Sequence, residues 1–539
     1  MSPRFRLMLM SLSGAGLCLL LLTCANLANL LLARGAAHER ELAVRAALGA
    51  GKQRLVRQLI TQNIVLALLG GAFGIVIAVL TVPLFSSLVP PTLPVAIQPS
   101  LDLRVLTVAA LFTSLTALGF GVLPALRAGR TGFAALRDGS RAGGGRKQRL
   151  RAVLVTIEVT MSVILLITSG LLIRAVWRVQ SVDPGFVAHN VLTLKTALAR
   201  PRYDDPVRRS QYYEQVLAGV RALPGVQSAA FTSGLPMVVT GLITGVEIPG
   251  QEVRSARSGV SHRWVTPQYF RSMGIPVHRG RDVEEADTSE RAWVAVVSAS
   301  FAERYWPGQD AIGKTFRHRD RPRTIVGVVG DIKVRGLERT SEPQIYLPAE
   351  QIPEGYPAVF DPKDLVIRHS GQADALVSAV RRIVHDIEPE QPISDVRSMN
   401  DVVAGETASR RAQLQVLGVL ACVAVLLSAV GIYGLLAYTV SQRSHEIAVR
   451  LALGADPARV GRMVLADGMR LAAFGILPGV LGAYAAARGM STLLFGVTPS
   501  DPATFATAVG LALLMTLAGS IVPALRAVRV HPMSVLRTE

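Results

Sequence analysis

Long uncharged stretches alternate along this chain with short, strongly basic ones. Residues 7–33, 105–126, 412–442 and 502–525 contain no Asp, Glu, Lys or Arg, and each is long enough for a membrane-crossing helix, which needs about 20 apolar residues. The run 58–101 is uncharged for longer than one helix requires, and Pro90-Pro91 interrupts it. The pattern there predicts a helix over roughly 58–88, followed by an outer loop. Residues 152–176 form a further span, with Glu158 inside it and Arg174 near its far end. The last, about 463–487, begins with Asp467 and Arg470 before a clean run from Leu471 to Ala487. The pattern thus predicts seven spans.

Between 178 and 411 the pattern becomes that of a water-soluble block. Asp205–Leu223 alternates charged and apolar residues at helical spacing, and Gly225–Phe231 reads as a strand. Asp364–Arg368 reads as a strand, Ala373–Ile387 as a helix and Pro392–Asp395 as a short strand. These βαβ-like pieces flank a strand-rich middle that includes Trp293–Ser298 and Thr324–Val329.

Composition agrees with the spans. The 539 residues are 50% hydrophobic and 18% charged, with a mean hydropathy of +0.39. Soluble proteins carry about a quarter charged residues, so a wholly soluble chain is excluded, and the apolar content excludes intrinsic disorder. Lys and Arg in short connections favour the cytoplasm. Loops 34–58, 127–151 and 442–462 and the tail 526–539 together hold 21 basic residues, whereas 89–104 holds one and 489–501 none. The formal charge of +19 is therefore mostly a topology signal and gives no weight to a nucleic-acid partner. This places the N-terminus and 178–411 outside and the C-terminus inside. Arg4 and Arg6 before the first span point the other way, but six basic residues after it outweigh them. Cys18, Cys24 and Cys422 all lie within spans, with neither disulfide nor metal spacing, so no cofactor is implied.

An internal repeat is plain. Glu41-Leu-Ala-Val-Arg45-Ala-Ala-Leu-Gly49-Ala50 matches Glu446-Ile-Ala-Val-Arg450-Leu-Ala-Leu-Gly454-Ala455 at eight of ten positions, at an offset of 405. Pro124–Ala128 matches Pro523–Ala527 completely at offset 399. The first block follows one span and the second closes the span two later, so 7–137 and 412–537 are copies of one three-span module.

This arrangement resembles the FtsX-like permease domain of MacB-type ABC transporters. The doubled permease without an ATPase is similar to the acidobacterial duplicated orphan permeases. The E-x-x-x-R-x-A-L-G-A block is the most specific element; Pro267–Gly274 and Ile325–Gly330 add family-like stretches. The resemblance implies a polytopic α-helical membrane protein of about seven spans, with two FtsX-like modules and an inserted α/β extracytoplasmic MacB-like domain. Its parts would be a first module at 1–137, a basic cytoplasmic linker at 138–151, a span at 152–177, the extracytoplasmic domain at 178–411 and a second module at 412–539. Relative to a full duplicated member, the first copy lacks its leading span and outer domain, which implies an N-terminally truncated or split gene product.

Glu41 and Arg45, and Glu446 and Arg450, are four apart with the acid first, so each pair can bridge one turn of a short cytoplasmic helix. Gly49 and Gly454 then end that helix. In the family this loop carries the helix that couples to the ATPase, which implies a coupling role for Glu41, Arg45, Gly49, Glu446, Arg450 and Gly454. A topology-setting basic loop with a weak surface ion pair is the plainer reading of the same residues. The resemblance further implies a separate cytoplasmic ABC ATPase as partner, MacB-like mechanotransmission and efflux, and periplasmic adaptor or envelope proteins and membrane lipids as further partners in the bacterial inner membrane. The alternative is a non-transporting signalling or scaffold protein, as FtsX is for cell-wall hydrolases.

Three local patterns test for other chemistry. Gly308–Thr315 has the spacing G-x-x-x-x-G-K-T, but phosphate cradling needs a strand before it and a helix after it, and the flanks read the other way round. His38-Glu39 and His445-Glu446 begin like a zinc-protease helix, but Leu42 and Val449 stand where the second ligand belongs. Glu158 is the acid inside a span, where ionisable groups are functional candidates; structural pairing near Arg151 is the favoured expectation over a proton relay. Gly and Ala in 59–82 and 471–487 allow close helix packing and suggest that the two modules meet, without showing which faces do.

Overall fold

The computed structural model describes residues 3–47, 52–87, 104, 107–108, 111, 144–196, 198, 202–239, 242–249, 259–319, 321–353, 355–357, 360–453 and 455–529. The chain divides into two units, Met1–Arg178 with Ser409–Glu539, and Val179–Ala408.

The first unit is helical: α1 Pro3–Ala47, α2 Lys52–Ser87, α3 Gly144–Gln180, and then, after the second unit, α4 Met399–Gln442, α5 Ser444–Ala452, α6 Pro457–Gly489 and α7 Pro502–Val528. Among the described residues six stretches are long and apolar enough to cross a membrane: Arg6–Asn29, Ile64–Pro83, Arg149–Gln180, Arg411–Gln442, Pro457–Gly489 and Pro502–Val528. The seventh expected span, 105–126, lies almost wholly outside the described residues. Helices α6 and α7 start on Asp-Pro pairs. Asp456 accepts from the Ala458 N–H and Asp501 from the Thr504 N–H, while the following proline occupies a first-turn position that needs no donor.

Small residues set how the spans pack. A Cβ on Gly475 of α6 would lie 2.6 Å from the Val159 Cβ and 3.0 Å from the Thr156 carbonyl oxygen of α3. One on Gly479 would lie 2.8 Å from the Val163 Cβ. The Thr160 hydroxyl donates to the Gly475 carbonyl at 3.0 Å. The small face of 471–487 therefore serves contact with α3. The first copy instead reaches α4 through polar groups. Asn26 donates to the Leu427 carbonyl, Asn29 to that of Gly431 at 3.3 Å, and Gln413 to the Ser11 hydroxyl at 2.8 Å.

The second unit carries an 11-stranded mixed sheet built from β1 Val191–Thr196, β2 Val226–Thr232, β3 Leu242–Thr244, β4 Val260–Val265, β5 Val277–Gly280, β6 Val294–Ser298, β7 Thr315–His318, β8 Arg321–Val329, β9 Gln344–Pro348, β10 Asp364–His369 and β11 Ile393–Ser398. The order is β11-β1-β10-β2-β4-β9-β6-β8-β5, with β3 on β4 and β7 on β8. Helix Pro206–Arg221 links β1 to β2, and helix Ala373–Ile387 links β10 to β11. Because β10 pairs antiparallel with both β1 and β2, and β1 with both β10 and β11, each β–helix–β crossover encloses a strand of the other. The βαβ-like pieces read from sequence are thus interleaved. Tyr212, Tyr213, Val216, Val220, Leu376, Val380 and Val384 bury the two helices on this half of the sheet. The insertion between β2 and β10 forms the other half, where β4 runs parallel to β9 and β6 parallel to β8 around Trp264, Phe301 and Phe316.

Candidate functional site

The repeated block takes its form from the chain on either side of it. In the second copy the span helix α4 stops at Gln442, Arg443 takes a turn conformation (φ −100°, ψ 12°), and α5 begins at Ser444. Ile447 and Ala448 are buried, and Ile447 joins Val440, Val460, Val464, Ala524 and Ala527 in one apolar cluster that draws on α4, α6 and α7. The other side of α5 faces out: Glu446 and Arg450 are about half exposed, and Leu453 beyond its end is 83% exposed. Arg450 donates to Glu446 at 2.5 Å, acid in the first turn and base in the last, the order the helix dipole favours. At that exposure the pair contributes about 0.5 kcal/mol or less. Arg443 lies 3.8 Å from Asp467 of α6, which is itself 3.7 Å from Arg470. The turn before α5 is thereby tied to the start of the next span.

In the first copy Glu41 and Arg45 lie on α1, which runs unbroken from Pro3 to Ala47 instead of yielding a separate short helix. Their side chains fall outside the described set, and Gly49 and Gly454 lie outside the described residues. The structure therefore brings together Glu446 and Arg450 of the six expected residues. Arg443 and Asp467 are the additions that sequence reading missed. Their signal was available, since an Asp inside an otherwise apolar span asks for a basic partner.

A second polar cluster lies inside the spans. Glu158 of α3 is fully buried, and a Cβ on Gly431 of α4 would overlap its carboxylate. Ser428 donates to the Glu158 carbonyl at 3.1 Å and shares a 2.7 Å contact with the Ser162 hydroxyl. Among the described residues neither Glu158 carboxylate oxygen has a hydrogen-bond partner. The expected pairing with Arg151 is not seen; two turns separate them, and the Arg151 guanidinium stacks on the Tyr438 ring at 3.7 Å. Asn26 and Asn29 contact the same turn of α4, at Leu427 and Gly431.

Gly308–Thr315 sits between helix Ala299–Tyr305 and the β7–β8 hairpin. Gly308 and Gly313 have positive φ (68° and 77°), and the Gly313 N–H donates to the Ile325 carbonyl at 2.8 Å. One of the amides that would have to face a phosphate is thus spent on the sheet, and a strand follows where a helix is required.

The family description FtsX-like permease C-terminal matches twice, over residues 13–133 and 418–532, and MacB-like periplasmic core domain matches residues 155–383. The protein is an FtsX/MacB-type permease, with its FtsX-like domain duplicated around an inserted extracytoplasmic MacB-like α/β domain, and it is a multi-pass inner-membrane protein. The pyoverdine export ATP-binding/permease protein PvdT of Pseudomonas putida is 25% identical over 205 residues, covering 37% of this chain and 31% of its own length. The macrolide export ATP-binding/permease protein MacB of Neisseria meningitidis is 21% identical over 216 residues, covering 39% of this chain and 33% of its own. The chain thus spans about a third of the length of these relatives. The periplasmic region of MacB from Actinobacillus actinomycetemcomitans aligns with 42% of this chain and 97% of its own, at 14% identity and a TM-score of 0.30.

Proposed function

We propose that the protein is the membrane permease subunit of an ABC transporter, driven by a separate cytoplasmic ATPase and working by MacB-like mechanotransmission. The observation that carries this reading is α5. Its apolar side is anchored in a cluster shared with three span helices, and its Glu446/Arg450 side is left exposed with Leu453. A partner that pushes on that exposed side moves span ends directly, and Asp467–Arg443 passes the displacement to α6. The repeat at Glu41–Ala50 supplies the same chemistry in the first copy, so one chain offers two docking blocks. The names of the relatives, both ATP-binding/permease exporters, support a partner that hydrolyses ATP and a substrate moved outward. In this reading Gly49 and Gly454 end the coupling segments, 178–411 is extracytoplasmic, and the C-terminus is cytoplasmic.

The test is purification of the tagged chain in mild detergent, with mass spectrometry and ATP hydrolysis measured on the eluate. A stoichiometric ABC ATPase supports the permease reading. Envelope proteins without an ATPase would replace it with an FtsX-like scaffold acting on those partners.

A further inference from the structure

We propose that Glu158 and Asn26 form a binding site for a monovalent alkali cation where the spans of α1, α3 and α4 meet. Its acceptors define the site. Both carboxylate oxygens of Glu158 and the side-chain carbonyl oxygen of Asn26 are buried without a hydrogen-bond partner among the described residues. Glu158 is fully buried and Asn26 is 4% exposed, and both lie within membrane-crossing stretches. The two side chains address one turn of α4. The Asn26 amide donates to the Leu427 carbonyl, which in a helix points at the Gly431 N–H. The Glu158 carboxylate fills the space that Gly431 leaves by having no side chain. Gly431 thus admits the carboxylate to the turn that Asn26 holds from α1.

The donors around this turn are committed to backbone carbonyls. The Asn26 and Asn29 amides serve Leu427 and Gly431, the Ser428 hydroxyl serves Glu158 itself, and the Ser162 hydroxyl serves Ala424 at 3.0 Å. The Arg151 guanidinium, two turns earlier on α3, lies over the Tyr438 ring. What the fold gathers here is an excess of hard oxygen acceptors carrying one negative charge. A buried charge is tolerated when it is paired or holds a metal ion. A proton on Glu158 would supply a donor for Asn26 but leave the other carboxyl oxygen unpaired. An alkali cation takes all three oxygens together and cancels the charge, whereas a divalent ion would leave one positive charge over. Because α1 belongs to the first module and α4 to the second, an ion at this point ties the two copies together.

The inference is independent of the ATPase reading and is tested with Na+ on the full chain purified in detergent. Binding is measured by equilibrium dialysis with radiolabelled Na+, and thermal unfolding is followed in NaCl and in choline chloride at equal ionic strength. The chain is expected to bind Na+ and to melt roughly 3 °C higher for each tenfold rise in Na+ above its dissociation constant, with no such rise in choline. Glu158→Gln, which keeps the shape and removes the charge, abolishes both effects. Asn26→Ala, which keeps the carboxylate, weakens Na+ binding about tenfold. Equal melting in the two salts with no bound Na+ overturns the proposal in favour of a carboxyl neutralised by its own proton. A Na+ response retained in Glu158→Gln overturns it by placing the ion elsewhere. If Glu158→Gln does not fold, unchanged Na+ affinity in Asn26→Ala overturns it alone.

Discussion

Glu158 and Gly431 are legible only as a pair. A glycine in α4 makes room for a carboxylate from α3, so enlarging one should be tolerated only when the other is cut back. Gly431→Ala is expected to destabilise the membrane unit by about 1–3 kcal/mol through overpacking. Glu158→Ala in the same chain should restore most of that loss, as read from thermal unfolding in detergent; purely additive losses would show that the two do not share space. In the second unit two buried groups give opposite pH dependences. Burial, opposed by Lys363 and Lys195, raises the Asp364 carboxyl from 3.8 to about 6. The folded state thus holds that proton more tightly, and its contribution is present at low pH and lost as pH rises from about 4 to 6. Burial, then His262, Arg323 and Arg319, lowers His318 from 6.5 to about 3, so its contribution is present above 6.5 and lost as pH falls below it. Asp364→Asn should therefore stabilise the full chain at pH 7, by roughly 2–3 kcal/mol, and His318→Asn should flatten the loss on acidification. Denaturant unfolding at pH 4.5 and 7 reads both.

At the scale of elements, the two glycine-bearing spans supply a matched contrast. Gly475→Leu places a large side chain where Val159 sits at contact distance, and should cost about 1–3 kcal/mol or more in detergent melts. Gly70→Leu, at the corresponding exposed position, should leave the melt unchanged. A loss at both positions would contradict the difference in packing between the copies. The spans themselves were open to reading because an uncharged run of that length has one solvent it can live in. Helix Ala373–Ile387 was equally clear, since its apolar positions recur at helical spacing and bury Leu376, Val380 and Val384. What the small faces touch was not legible. Gly and Ala show that a neighbour comes close, but its identity depends on three-dimensional order, which makes α3 the partner of the α6 face. Interleaving of the two crossovers was hidden for the same reason: β1–β10 pairing joins residues more than 160 positions apart, from Val191 to Arg368.

For the whole molecule, the repeat at offset 405 was visible in sequence and fixed the duplicated architecture, while the family match at 13–133 and 418–532 bears it out. The form of the repeated block was only half legible. The Glu446–Arg450 bridge forms as its spacing predicts, but the break at Arg443 that frees α5 has no counterpart in α1, and the decamers alone do not distinguish the copies. The central claim is that these blocks receive force from an ATPase. It is tested most directly by ATP hydrolysis of the co-purified ATPase, reconstituted in lipid with the wild-type chain and with Glu41→Lys plus Glu446→Lys. The account predicts that the double variant folds and melts like wild type, the exposed Glu446–Arg450 pair contributing about 0.5 kcal/mol or less, yet loses ATPase association and the permease-dependent part of hydrolysis. Unchanged association and hydrolysis in the double variant would contradict it.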